Sequence, residues 1–148
     1  MNQAPLPSFH FQAEWAGSRI EFSKIRNLAM NTEIVEIRSG SDRENSPHKT
    51  VGQQNYENFF LERPVVKGDN EFFQWWEEAH NFSITNSGSL RRDITISLLN
   101  SNHEPVVVWR IQNAMPARLT WSDLDGKGSE LLYEILEISC DKIIVLNE

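Results

Sequence analysis

Alternation of apolar and polar residues at a period of two recurs along most of this 148-residue chain, and a helical period appears once. In Phe9-His-Phe-Gln-Ala-Glu-Trp15, Phe9, Phe11, Ala13 and Trp15 share one side while His10, Gln12 and Glu14 share the other. That period marks a half-buried strand. Ala16-Gly17 then turns the chain into Ser18–Phe22 as a hairpin. Arg92–Leu98 alternates in the same way, with Ile94, Ile96 and Leu98 opposed to Asp93, Thr95 and Ser97. Its hairpin partner is Pro105–Ile111, across the Asn100–Glu104 loop. Further strands are expected at Thr32–Arg38, Asn58–Glu62, Ala117–Trp121, Glu130–Ser139 and Lys142–Leu146. Pro64 suggests an edge or a bend. Eight or nine closely spaced strands point to a barrel or sandwich.

The exception is Lys67–His80, where four aromatic rings fall within the five positions Phe72 to Trp76. At about 100° per residue, Phe72, Phe73, Trp75, Trp76, Ala79 and His80 lie within an arc of roughly 160°. Asn70, Glu71, Gln74, Glu77, Glu78 and Asn81 take the opposite side. Asp69 stands where an N-cap belongs, and Glu71 suits the first turn. The spacing predicts one amphipathic helix over about 69–81, with Phe72, Phe73, Trp75 and Trp76 as a core plug. Truncating Trp75 or Trp76 is then expected to cost about 3–5 kcal/mol.

Between Ser39 and Gln54 the chain turns polar, punctuated by Gly40, Pro47 and Gly52. A long inter-strand loop over about 39–54 is expected, of a length usually associated with function or motion. At this size one domain spanning 1–148 can bury an adequate core without covalent staples. The single cysteine, Cys140, excludes an internal disulfide and fits a reducing compartment. No signal peptide or membrane-spanning segment is expected. A net charge of −7 argues against a protein that grips nucleic acid.

No catalytic constellation is legible. Glu77-Glu-Ala-His80 is a single Glu-x-x-His copy, whereas two-metal sites use paired copies on facing helices. His10, His48, His80 and His103 are scattered, so their spacing gives no zinc motif. Asp123-Leu-Asp-Gly126 fails as a calcium loop, because Trp121 and Leu132 would occupy ligand positions. Phosphate loops, dinucleotide fingerprints and nucleophile elbows are absent. Neither a cofactor nor an enzyme activity is expected. Exposed strand edges and polar strand faces instead suggest assembly: closing a ring of subunits removes every edge, and a polar face can line a wet channel. Glu36, Arg38, Glu62 and Arg63 are the candidates for such a face.

Four stretches together resemble the tail tube proteins of contractile phage tails and extracellular contractile injection systems. They are Pro5–Trp15; Lys67–Phe72 with Trp75-Trp76; Arg91–Asn100; and Glu104–Trp109 continuing to Asn113-Ala114 and Pro116. The resemblance implies a small antiparallel β-barrel with one flanking helix, similar in fold to the type VI tube protein. It further implies hexameric rings stacked into a non-catalytic tube, which a contracting sheath drives through a target envelope. The implied partners are further copies of the chain, a sheath protein, and baseplate or spike hub proteins. Cargo or DNA would pass through the lumen without specific binding, and the tube would not insert into membrane by itself. Assembly in the bacterial cytoplasm, followed by incorporation into a phage tail or released particle, is the implied localisation.

The long loop is the element such proteins use between rings, which nominates Arg43, Glu44, His48, Lys49 and Gly52. Two departures stand beside it: Thr50-Val-Gly52 where the family often has Met-Pro-Gly, and Arg63-Pro64 where many members have Arg-Gly. They leave open the repeating tube subunit or the ring that initiates the tube on the baseplate. From a different class, a small-ligand-binding β-barrel enzyme remains the alternative.

Overall fold

One strand organises the architecture. Pro105–Trp121 runs for 17 residues as β8 and carries partners along both of its halves. The computed structural model describes residues 5–7, 10–15, 17–37, 48–80 and 91–147. Along these lie ten strands and one helix: β1 (Phe11–Trp15), β2 (Ser18–Ile20), β3 (Lys24–Arg26), β4 (Met30–Ile37), β5 (His48–Tyr56), β6 (Phe59–Pro64), α1 (Glu71–His80), β7 (Arg92–Leu99), β8, β9 (Tyr133–Ser139) and β10 (Lys142–Asn147).

All pairings among the described residues are antiparallel. The order across the large sheet is β2-β1-β7-β8-β9-β6-β3, with β10 also on β8. Residues 107–112 of β8 pair β10, and residues 115–121 pair β9. β9 and β10 therefore follow one another along β8, interrupted at Cys140-Asp141, where the Asp141 N–H still reaches the Gln112 carbonyl at 3.0 Å. Among the described residues no pairing joins β2 to β3.

β8 spans both halves because the Asn113–Pro116 segment bends without ending it. Asp93 opposes both Gln112 and Asn113 in the register with β7, which is a β-bulge. Asn113 adopts a left-handed φ of 54°, and its N–H donates to the Asp93 carboxylate at 3.0 Å. Asparagine tolerates that conformation better than most residues. A second shift follows between Pro116 and Arg118, so proline sits at an irregularity, where a missing donor is tolerated. Two separate strands were expected here; the bulges turn them into one.

The helix starts at Glu71, later than expected, with the Glu71 N–H donating to the Asp69 carboxylate at 3.2 Å. Position 81 lies outside the described residues. Phe72, Trp75 and Ala79 are buried against the sheet. Trp75 lies 4.8 Å, ring to ring, from Trp15, and Phe72 lies 5.8 Å from both Trp15 and Phe22. The four-ring plug is corrected in part. Phe73 is 46% exposed, and Trp76 is half-buried, stacked 3.7 Å from His80 one turn on. The apolar arc is wider than the strip of helix that touches the sheet, and Phe73 sits at its far edge.

Candidate assembly surfaces

The expected loop at 39–54 is a strand from His48 onward. β4 and β5 form a separate two-stranded ribbon, registered from Met30↔Tyr56 to Ile37↔His48. The polar run of 48–54 lacks apolar alternation because its residues are exposed except for the half-buried Gly52, so neither of its faces has to be apolar. Residues 38–47 lie outside the described residues, and with them Arg38, Arg43 and Glu44.

His48, Lys49 and Gly52 sit on β5 as strand residues, a correction of their loop assignment. The ribbon also brings together two residues assigned to different surfaces: Glu36 and Lys49 are direct cross-strand partners. Opposite charges at such positions favour the register. Glu33 opposes Gly52 and Gln53, a bulge on β5. A Cβ on Gly52 would lie 2.9 Å from Val35 Cγ2 and 3.0 Å from the Glu33 carbonyl oxygen. Glycine is there because the facing strand approaches too closely for a side chain.

Met30, Ile34, Val35, Ile37 and Val51 are all exposed on this ribbon. Alternation places Met30 and Ile34 on one face of β4, and Val35 and Ile37 on the other. Both faces therefore present apolar side chains to solvent. A second exposed apolar group lies around the β8–β9 connection, with Trp121 at 49%, Leu124 at 86% and Leu131 at 67% exposure.

The wet-wall assignment of Arg63 is wrong. Phe59, Leu61 and Arg63 share the inward face of β6, and Glu134, Leu136 and Ile138 share that of β9. Register pairs Arg63 directly with Glu134. Arg63 Nε donates to Glu134 Oε1 at 2.6 Å, with both side chains 8% exposed. Its two terminal nitrogens donate to the Asp69 carboxylate at 3.1 Å each, and its guanidinium covers the Phe72 ring at 4.0 Å. The network ties two strands to the start of α1. Its sequence signal was the period of two, which puts Arg63 in line with Phe59 and Leu61. Glu62, on the opposite face, pairs with Arg26 at 2.9 Å.

Cys140 is buried at the β9–β10 break, and burial, aided by the Asp141 carboxylate, raises its thiol pKa above the ordinary value. The neutral thiol is thus the favoured form in the folded chain. Iodoacetamide at mildly alkaline pH should alkylate it more slowly than in the urea-unfolded chain; equal rates would show an accessible thiolate. Because the shift is upward, its stabilising effect is complete below the unfolded-state pKa and is lost as pH rises through the folded-state value.

The T4-like virus tail tube protein gp19 family matches residues 7–144 of the chain. The chain belongs to this family. No curated protein matches it by sequence. Among solved structures, this tail tube protein is similar to a chain of an anti-feeding prophage cap (AFP tube terminating cap), at 24% identity and a TM-score of 0.86, covering 100% of this chain and 95% of that one. It is also similar to a chain of an extracellular contractile injection system, the PVC sheath-tube complex in its extended state. There the identity is 25% and the TM-score 0.85, over 99% of this chain and 94% of that one. Hcp1 from Flavobacterium johnsoniae shares the fold at 16% identity and a TM-score of 0.56, covering 95% and 97% of the two chains.

The tail tube protein is therefore a structural, non-catalytic subunit of a contractile tail or injection particle. Its mainly β, antiparallel architecture with one helix is the tail-tube and Hcp-like fold. The residues of the β4–β5 ribbon and the β8–β9 connection are the surfaces through which assembly can be tested.

Proposed function

We propose that each chain folds as one domain, that the subunits close into hexameric rings, and that the rings stack into the inner tube of a contractile particle. The tube assembles in the bacterial cytoplasm on a baseplate or spike hub and is enclosed by a sheath protein. Contraction then drives it through a target envelope, with cargo or DNA passing through without specific binding. The observation that carries this reading is the β4–β5 ribbon. A lone two-stranded ribbon is marginal in water, and this one exposes Met30, Ile34, Val35, Ile37 and Val51 across its two faces. Packing against neighbouring subunits covers those side chains and supplies the ribbon with the burial it lacks. Arg43, Glu44, His48, Lys49 and Gly52 then belong to the contact between rings. Glu62, half-buried beside Arg26, is the lumen candidate, while Glu36, opposite Lys49 and on the face of Ile34, goes with the ribbon's contact.

Negative-stain electron microscopy of the purified protein, with its mass in solution, tests the proposal. Rings and stacked tubes support the repeating subunit, and rings that never stack support the initiating ring. A monomer at every concentration would overturn both. Gly52→Val is expected to abolish stacking, because the new side chain forces β4 and β5 apart. It should leave the unfolding midpoint of the β1–β2, β6–β10 and α1 core nearly unchanged. Normal tubes from this variant would remove the ribbon from the contact.

A further inference from the structure

His10 and His103 are 93 residues apart in sequence and adjacent in the fold. His10 immediately precedes β1, and its carbonyl oxygen accepts the Leu99 N–H at 2.8 Å, which fixes it beside the end of β7. His103 lies in the β7–β8 turn. There the Asn100 side chain accepts the N–H groups of Asn102 and Glu104, and the His103 N–H donates to the Asn100 carbonyl at 3.0 Å. The turn holds His103 at a left-handed φ of 62° and aims its ring back at β1. His103 Nδ1 and His10 Nε2 face each other at 3.1 Å, with the rings nearly perpendicular at 88°. One ring donates and the other accepts.

We propose that this pair is a binding site for a late divalent transition-metal ion such as Zn²⁺, which pins the start of β1 to the β7–β8 turn. The distance carries the argument. With zinc–nitrogen bonds of about 2.0–2.1 Å, two tetrahedral imidazole ligands hold their nitrogens about 3.3 Å apart. The observed 3.1 Å hydrogen-bonded separation needs only a slight opening to reach that of a chelating pair. The donating ring first moves its proton, through solvent, to its other nitrogen, and a swing of each ring then brings both lone pairs onto a shared ion. Imidazole is a good ligand for Zn²⁺, Cu²⁺ and Ni²⁺. His103 is exposed and His10 half-buried, so the ion can enter from solvent without opening the core. Both line a groove of about 460 Å³, and since no third His, Cys, Asp or Glu among the described residues is grouped with them, water completes the shell. Arg19 on the same groove opposes the charge of the ion, so the site is suited to reversible binding.

The test is a Zn²⁺ titration of the tag-free wild-type protein by calorimetry, repeated with His10→Gln and His103→Asn. Asparagine at 103 is chosen because it tolerates the left-handed turn. One equivalent per chain is expected, and each substitution should weaken it by at least about tenfold. Zn²⁺ should also raise the thermal midpoint of wild type and leave that of the variants unmoved. Replacing His48 and His80 together should leave the affinity unchanged. Should the variants fold poorly, the electron paramagnetic resonance spectrum of Cu²⁺ on wild type decides alone: coupling to two imidazole nitrogens supports the site. No binding, a spectrum without that coupling, or full affinity in the His10→Gln/His103→Asn protein would overturn it.

Discussion

Truncating Trp75 to alanine should destabilise the folded subunit by about 3–5 kcal/mol, the range for removing a large buried aromatic side chain. Trp75 is fully buried, packs on Trp15 at 4.8 Å, and has the Arg92 guanidinium 5.0 Å from its ring. Its removal would open a cavity between α1 and β1 that neither element can close, since Trp15 is also held by Phe72 and Phe22. The control lies two residues away on the same helix. Phe73 is 46% exposed, and its truncation should change stability by no more than about 0.5 kcal/mol. Urea unfolding of the two variants at matched subunit concentration separates them. Equal losses would mean that the helix buries a different face.

Arg63→Ala should be as damaging, at about 3–5 kcal/mol, because it leaves the Glu134 carboxylate in the sheet without its charged partner. The cost arises from the orphaned acid more than from the lost attraction. Glu134 is 8% exposed at its side chain, so water cannot take over the interaction. The half-exposed Asp69 carboxylate can rehydrate and adds little. Arg63→Met combined with Glu134→Leu removes both buried charges and is expected to recover most of the loss. Denaturant midpoints of the single and double variants form the comparison. A double variant no better than Arg63→Ala would show that the arginine contributes through its packing on Phe72 and its hold on the helix start.

The sequence carried the strand content because half-buried strands need alternation, and β1, β7 and β9 obey it. It carried the helix because a lone 3.6-residue period among strands has no other reading. The Asn113-Ala-Met-Pro116 segment was legible as a motif, while its bulged geometry required the Asp93 partner on β7. Arg63 was misread as a surface charge because its type was weighed above its place in the alternation with Phe59 and Leu61.

What the sequence alone determined is local: the period of each element, the turn at Gly17, and the face of α1 that turns inward. What only the tertiary structure decided is which of those faces is covered, and by what. The burial of Arg63, the exposure of Phe73, and the meeting of His10 with His103 each depend on strand register and distant partners. So does the ribbon at His48–Tyr56, whose polar sequence gave no sign of pairing. Periodicity states what an element offers to its surroundings, and only the packed fold supplies the surroundings that accept it.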